Sequence, residues 1–316
     1  MSTLLLTHPC FLEHDTGIGH PERPDRMRAI DRALGHELFA SLRREAAPLR
    51  EDAEEAIALA HPERYIAWIK SVRPAEGHEP VRLDADTLFS NRSWEAALRA
   101  IGAGLAAVDR VLDDASGVRN AFCQVRPCGH HAERERAMGF CIFNNIAIAG
   151  LYARKKYGCE RIAVVDFDVH HGNGTQDIFW SDKDLFFGST HQMPLYPGTG
   201  AVDEAGVGNV FNAPLRPGDG SERFKEAMES RIFPALSDFR PDFLLISAGF
   251  DAHRDDPLAN LRLSEADFAW VTMKLADVAD RHTRGRLVSM LEGGYNLAAL
   301  AKSVGVHVTA LMEASA

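Results

Sequence analysis

Two aspartates and a histidine stand at alternate positions near the middle of the chain. Asp166, Asp168 and His170 close the apolar run 161–167. If a strand continues through them, their side chains point to the same side and share one pocket. Buried carboxylates are costly without a compensating charge, and a divalent cation is the common way to neutralise them. A third ligand must come from elsewhere, and Asp251, just past another apolar run, is the best candidate.

The proposed ligands Asp168, His170 and Asp251 leave one coordination position open for water, which is typical of a catalytic site rather than a structural one. A binuclear hydrolase would need more carboxylates, whereas Ala252 and His253 follow Asp251. One catalytic ion is therefore expected, and Asp166, left without an ion to ligate, could orient a histidine or hold a monovalent cation. The alternative is that these acids cap helices and order loops.

Proton carriers and a phenol are also present in the sequence. The adjacent His130 and His131 could move a proton between water and a leaving amine, although such a pair also occurs on surfaces or in cores. Tyr295 follows two glycines, and its hydroxyl could stabilise a developing oxyanion, or the ring could simply pack. His171 is expected to face away from His170. A metal ion, a base and a phenol together indicate metal-assisted amide hydrolysis.

The elements that must position these residues alternate between strand and helix. Short runs rich in Val, Ile, Leu and Phe predict buried strands at 3–7, 121–125, 161–167, 185–190, 243–248 and 287–291. Helical spacing appears at 94–112, 142–157, 221–239 and 265–281. The pattern predicts an α/β fold with a mostly parallel sheet covered by helices on both faces. Such sheets bind ligands at the carboxyl ends of their strands, where the residues above fall.

Composition excludes several other classes. A net charge of −10 argues against nucleic-acid binding and suits a cationic partner. Five cysteines without a CxxC pair indicate neither a disulfide framework nor a thiolate zinc site, which fits the cytoplasm. No apolar run approaches the roughly 18 residues that span a bilayer, so no membrane association is expected. The lack of a linker predicts a single domain, 1–316, with 192–220 as a long ordered loop.

The sequence closely resembles the histone deacetylase superfamily, which includes class II-like bacterial histone deacetylase-like amidohydrolases and acetylpolyamine amidohydrolases. The matching blocks occur in family order along almost the whole chain, at 20–26, 126–132, 139–141, 166–175, 196–200, 247–251, 256–258 and 292–295. Asn173 is the class II form of a position that is usually aspartate in class I. The resemblance implies the arginase/deacetylase-like three-layer α/β fold and a zinc-dependent deacetylase acting on acetyl-lysine.

Roles of individual residues follow from the same resemblance. Zinc is held by Asp168, His170 and Asp251, while His131 is the general base, His130 its electrostatic or proton-donating companion, and Tyr295 polarises the carbonyl. The substrate-binding positions implied are Gly139 and the tunnel walls Phe140 and Tyr196, together with Leu258 and Asp86. Arg26 matches an arginine linked to acetate exit. Asp166 and Ser189, with His191 beside them, lie where the family builds a structural potassium site.

The choice of substrate stays open at the level of sequence. The vertebrate polyamine deacetylase that resembles this group has a glutamate at the position of Leu258, where it selects a second cationic amine. An aliphatic residue there suits acyl-lysine in proteins or peptides better. An acetylpolyamine or another small acetylated amine remains the alternative substrate, and the oligomeric state is undetermined.

Overall fold

Eight strands form one parallel sheet at the centre of the molecule. The computed structural model describes residues 1–316. The strands of this sheet are β1 (Ser2–Thr7), β2 (Arg43–Ala46), β5 (Val118–Cys123), β6 (Ile162–Asp166), β7 (Leu185–Gln192), β8 (Val210–Leu215), β9 (Phe243–Ala248) and β10 (Leu287–Leu291), while β3 (Val81–Arg82) and β4 (Leu88–Phe89) form a separate antiparallel pair. Their order across the sheet is β2-β1-β5-β10-β9-β6-β7-β8, with every pairing parallel.

Ten α-helices connect and cover these strands. They are α1 (Asp25–Leu34), α2 (Ala53–Ile57), α3 (Glu63–Ser71), α4 (Ser93–Leu112), α5 (Asn145–Tyr157), α6 (Asn173–Phe179), α7 (Ser221–Ala227), α8 (Phe233–Phe239), α9 (Glu265–His282) and α10 (Leu297–Ser315). A π-helical turn, Met228–Ile232, joins α7 to α8. Helices α4 and α5 pack together on the sheet, and α10 packs between α1 and α9 on β1 and β5.

The central strands are buried on both faces, which explains their continuous apolar sequences. Every residue of β6, β9 and β10 is buried, and these strands belong to a core of 82 buried residues shared with the flanking helices. Parallel strands covered on both sides read as apolar runs because neither face meets water. The predicted α/β fold with helices on both faces is confirmed.

Strand register places the segments that carry the candidate site residues at one edge of the sheet. Asp166, the last residue of β6, lies opposite Ser247 of β9 and Ser189 of β7. Leu291, the last residue of β10, lies opposite Ala248. The residues that follow β6, β9 and β10 therefore leave the sheet side by side.

The structure differs from the sequence-based expectation at the sheet edges. The segment 192–220, expected as a loop, contains the edge strand β8, and the other edge strand, β2, was not expected at all. β2 has the sequence RREA and β8 contains Pro214, so neither shows an apolar run. Edge strands tolerate charge and proline because one side of each is unpaired, and sequence periodicity misses them for that reason.

Helix α10, Leu297–Ser315, has the length and apolar composition of a membrane-spanning helix. It packs against α9 and α1, and its buried face includes Ser303 and His307. His307 hydrogen-bonds Thr272 and Ser289. These contacts are those of a core helix.

Candidate active site

Three side chains from two loops meet at the carboxyl edge of the sheet. The Nδ1 atom of His170 lies 3.2 Å from Asp168 Oδ1 and 3.1 Å from Asp251 Oδ2. One donor atom from each residue falls within 4.8 Å of the others, and all three residues are buried. The structure thus contains a candidate metal-binding site made of the residues named from the sequence.

Backbone groups orient both carboxylates of this cluster. Val169 N–H donates to Asp251 Oδ1 at 2.8 Å, and Gly293 N–H donates to Asp168 Oδ2 at 2.8 Å. A Cβ atom on Gly293 would lie 2.2 Å from Asp251 Oδ2, so only glycine allows the β10 loop to come this close. These backbone contacts therefore hold the two carboxylates in place without a bound ion.

The charge on the cluster suits a divalent cation. No lysine or arginine forms an ion pair with Asp168 or Asp251, whose only ionic contacts are with His130 and His170. Burial and the neighbouring charge of Asp168 raise the pKa of Asp251 to about 7. Two carboxylate oxygens and an imidazole nitrogen with an open position match a catalytic transition-metal site.

His130 is paired with Asp166 rather than facing solvent. The chain bends after β6 ends at Asp166, so this carboxylate does not join the cluster but accepts a hydrogen bond from His130 Nδ1 at 2.9 Å. The expectation that Asp166 ligates no ion and could orient a histidine agrees with this contact, although its side chain does not share the pocket of Asp168 and His170. Although burial lowers the pKa of His130, the charges of Asp168, Asp166 and Glu292 hold it well above its usual value. The contacts of His130 therefore favour its charged form.

His131 has a different hydrogen-bond partner, and its pKa is shifted in the opposite direction. Its Nδ1 lies 2.8 Å from Asn173 Oδ1, so Nδ1 carries the hydrogen and Nε2 is free to accept a proton. Burial and the positive charges of His130 and His170 hold the pKa of His131 well below its usual value. The two adjacent histidines thus have divergent pKa values, which is typical of an acid–base pair.

Glu292, which was assigned no role from the sequence, holds the turn that carries both histidines. Its Oε2 accepts hydrogen bonds from Gly129 N at 2.7 Å and His130 N at 3.1 Å. Burial raises the pKa of Glu292 to about 7. Its position directly after β10 was the one available sequence signal.

Tyr295 belongs to the loop in which Gly293 contacts Asp168, and its hydroxyl forms no hydrogen bond with another side chain. The Arg26 guanidinium stands over the ring, 5.1 Å from its centroid, and donates to Gly294 O and Glu292 O at 2.7 and 2.5 Å. Burial raises the pKa of Tyr295 well above its usual value, so the phenol stays protonated. It can therefore donate a hydrogen bond into the site.

Glu22 and Arg126 form a buried ion-pair network with Arg26. Neither Glu22 nor Arg126 was assigned a role from the sequence. Arg126 Nη2 donates to Glu22 Oε2 at 2.7 Å, and Arg26 Nη1 donates to Glu22 Oε1 at 3.0 Å. All three side chains are fully buried. A buried charge network of this kind fixes geometry because breaking one contact leaves an uncompensated ion.

Two aromatic rings flank the histidines and the tyrosine. Phe140 lies edge-on to Tyr295, with ring centroids 5.9 Å apart, and Tyr196 lies edge-on to His131 at 5.2 Å. Gly139 has a φ of 55°, and a Cβ there would lie 2.4 Å from His131 Cδ2. Glycine at 139 therefore lets the Phe140 loop reach the site.

The remaining predicted substrate positions lie in loops tied to these walls. Thr87 Oγ1 accepts a hydrogen bond from Phe140 N at 3.0 Å, which holds the Asp86 loop against Phe140. Leu258 N donates to Asp256 Oδ1, whose other oxygen accepts from Tyr295 N at 2.7 Å. Asp86 and Leu258 thus belong to segments anchored beside Phe140 and Tyr295.

Ser189 and His171 have hydrogen-bond partners outside the metal cluster. Ser189 Oγ lies 2.9 Å from His191 Nδ1, and potassium binding by Ser189 and Asp166 stays a prediction. The rings of His171 and His191 lie 4.7 Å apart, and the two nitrogens of His171 contact Thr199 and Gln176. His171 faces away from the cluster, as expected.

Comparisons with known proteins agree with this geometry. A histone deacetylase domain model matches residues 20–311. The chain is 40% identical over 292 residues to a histone deacetylase-like amidohydrolase of Pseudomonas aeruginosa, covering 90% of this chain and 75% of that protein. It is 36% identical over 328 residues to a probable deacetylase of Archaeoglobus fulgidus, covering 99% of this chain and 89% of that protein.

The fold of this chain is also similar to that of a solved structure. The crystal structure of the HDA15 HD domain superposes with a TM-score of 0.91 at 34% identity, covering 99% of this chain and 88% of that one. The predicted arginase/deacetylase-like fold is thereby confirmed. On its sequence, its fold and its candidate metal site, this chain belongs to the histone deacetylase family.

Proposed function

We propose that this protein is a zinc-dependent deacetylase that hydrolyses the amide of acetyl-lysine to free amine and acetate. Membership of the histone deacetylase family establishes deacetylase-type hydrolysis as its class. The observation that carries the finer proposal is the buried Asp168, His170 and Asp251 cluster, with the ring of His131 5.8 Å from that of His170. Burial lowers the pKa of His131 and raises that of Tyr295, which favours a neutral imidazole and a protonated phenol. These are the components that metal-assisted amide hydrolysis requires.

Zinc is the ion that this donor set favours. Asp168, Asp251 and the Nδ1 atom of His170 would hold it, with a position left open. When bound, zinc supplies a Lewis acid that lowers the pKa of water and polarises a carbonyl group. Its charge also lowers the pKa values of the adjacent histidines relative to the metal-free protein.

The pH dependence of metal stabilisation tests this ligand set. In the metal-free protein the pKa of Asp251 is about 7 and that of His170, raised by its hydrogen bonds to Asp168 and Asp251 against the effect of burial, is about 10. Both pKa values exceed the ordinary ones, so the contribution of these two groups to stability is full at low pH. That contribution is lost as pH rises through these values. Bound zinc replaces the protons. We expect the zinc-induced rise in Tm to be larger at pH 8 than at pH 5.5, measured by thermal denaturation.

Groups remote from the cluster titrate equally with and without zinc, so they cancel in that difference. An increase in Tm that is the same at both pH values would contradict the assigned ligands.

Proton transfer falls to the two histidines. His131 Nε2 accepts a proton from the attacking water, because Nδ1 is already engaged by Asn173. The same proton can then pass to the leaving amine. His130 donates to Asp166, and the charged form that this contact favours would stabilise the developing tetrahedral anion.

Tyr295 stabilises that anion by donating a hydrogen bond to the acyl oxygen. We expect Tyr295→Phe to lower kcat by about 10²- to 10³-fold, the usual effect of removing one oxyanion donor, while zinc content stays unchanged. The measurement is steady-state turnover of an acetyl-lysine peptide. Tyr157→Phe, which removes an exposed hydroxyl bonded to Asp109, is the matched control and should retain parental turnover. Equal kcat in parent and Tyr295→Phe would remove Tyr295 from the mechanism.

Acetyl-lysine is favoured by the aromatic rings that flank the site. Phe140 and Tyr196 offer flat apolar surfaces to an aliphatic chain, next to Tyr295 and His131 respectively. Leu258 presents no charge at its position. A neutral acyl-lysine stem fits these surfaces without requiring a second cationic group.

The deciding experiment is a turnover screen of the zinc-loaded protein. Acetyl-lysine peptides, longer acyl-lysine peptides and acetylated polyamines should be compared by kcat/KM. We expect the acetyl-lysine peptides to be the best substrates. Fast turnover of acetylputrescine or acetylspermidine with inert peptides would replace the proposal by a small-amine deacetylase, and no turnover of any acyl amide would overturn it.

A further inference from the structure

We propose that Glu133 is a positioning residue that fixes the side-chain amide of Asn173 and, through it, the tautomer of His131. This inference rests on the proposed function, in which His131 is the base. Glu133 follows the histidine pair by two residues, in a tight turn closed by its backbone contacts with Arg136.

The contacts form a chain from the surface to the base. Glu133 Oε1 accepts a hydrogen bond from Asn173 Nδ2 at 2.7 Å. Asn173 Oδ1, the other end of the same amide, accepts the hydrogen of His131 Nδ1 at 2.8 Å. The Glu133 carboxylate hydrogen-bonds no other side chain and forms no ion pair, so Asn173 is its one side-chain partner.

An amide can be turned by 180° with almost no change in shape, so its hydrogen-bond partners decide its orientation. The carboxylate of Glu133 makes the shortest of the contacts of Asn173 Nδ2, at 2.7 Å, and its charge strengthens that hydrogen bond. The other acceptors near Asn173 Nδ2 are weak: His131 O at 3.5 Å and the thioether sulfur of Met138 at 3.3 Å. Glu133 is therefore the group that keeps the amide oxygen pointed at His131.

The orientation matters because it sets which nitrogen of His131 is free. With the oxygen of Asn173 facing Nδ1, the ring carries its hydrogen on Nδ1 and Nε2 can accept a proton. With the amide turned, Asn173 Nδ2 would donate to Nδ1, and the hydrogen of the neutral ring would be forced onto Nε2. The base would then be blocked although every side chain remained in place.

A graded series at position 133 tests this directly. Glutamate only accepts, glutamine can accept or donate, and lysine only donates. We expect kcat for an acetyl-lysine peptide to fall about tenfold or more in Glu133→Lys, as when an orienting hydrogen-bond partner is lost, and by less in Glu133→Gln, with little change in KM. Glu135→Gln and Glu135→Lys, two residues away at an exposed position paired with Arg64, are the matched controls and should retain parental kcat.

The same series in an Asn173→Asp background separates positioning from structure. A carboxylate at 173 offers oxygen on both sides and cannot present a donor to His131, so the losses from Glu133→Gln and Glu133→Lys should disappear there. Equal losses in both backgrounds, or no loss in the native background, would overturn the proposal.

Nitrogen NMR of the histidine rings gives a readout that needs no substrate. In zinc-loaded protein with ¹⁵N-histidine, the His131 signals, assigned by their absence in His131→Ala, should report hydrogen on Nδ1 in the parent and on Nε2 in Glu133→Lys. This shift in a protein that turns over no acyl amide would support the role of Glu133 while the proposed function fails. An unchanged tautomer in Glu133→Lys would overturn the role of Glu133 whatever the activity.

Discussion

Asp251→Ala is expected to abolish tight zinc binding and to lower turnover of an acetyl-lysine peptide by at least about 10³-fold, since the metal contribution is lost as a whole. The substitution leaves Asp168 and His170 as the only ligands of the cluster. Metal analysis and turnover measure the two effects.

The control for this variant lies four residues along the same loop. Asp255 is also an aspartate, but its side chain is 63% exposed, and Asp255→Ala should retain zinc and turnover. A purified Asp251→Ala protein that still held one zinc ion and turned over at the parental rate would show that Asp251 is not a ligand.

His131→Ala is expected to lower kcat by about 10²- to 10⁴-fold while zinc content stays unchanged, because a general base contributes that much and His131 is not a ligand. The acidic limb of kcat/KM should change as well. A base must be unprotonated, so kcat/KM rises with pH through the pKa of His131, which burial and its cationic neighbours hold below the usual value. We expect that limb to be absent in His131→Ala.

Chemical rescue distinguishes a missing base from a damaged fold. Imidazole added to His131→Ala should restore part of the turnover by occupying the space of the deleted ring, whereas imidazole should not affect Tyr295→Phe. An exposed histidine, His78, provides the control substitution, and His78→Ala should match the parent. Full turnover in His131→Ala without imidazole would assign the base to another residue.

The placement of the candidate metal ligands could be predicted because it depends on features that periodicity reveals. Asp168, His170 and Asp251 directly follow buried apolar strands, and the carboxyl ends of parallel strands meet at one edge. The family resemblance added the pairing of roles with residues, including His131 and Tyr295. Both kinds of information are local, since they need only the order of residues along the chain.

Contacts between segments distant in sequence could not be predicted from the order of residues alone. Asp166 was expected to orient a histidine or to hold a monovalent cation, but residue order could not say which histidine, and the bend where β6 ends brings its side chain to His130. Glu292 and Glu22 gave no periodic signal, because a single charged residue looks the same whether it is solvated or buried against a partner.

The sequence by itself determined the α/β alternation, the candidate ligands and the chemistry of the residues at the strand ends. The tertiary structure decided which strands form the edges, which carboxylate faces which histidine, and how Glu133, Asn173 and His131 form one chain of hydrogen bonds. The physical reason is that hydrophobic periodicity reports burial, whereas the direction of a hydrogen bond depends on which distant backbone and side chain arrive beside it.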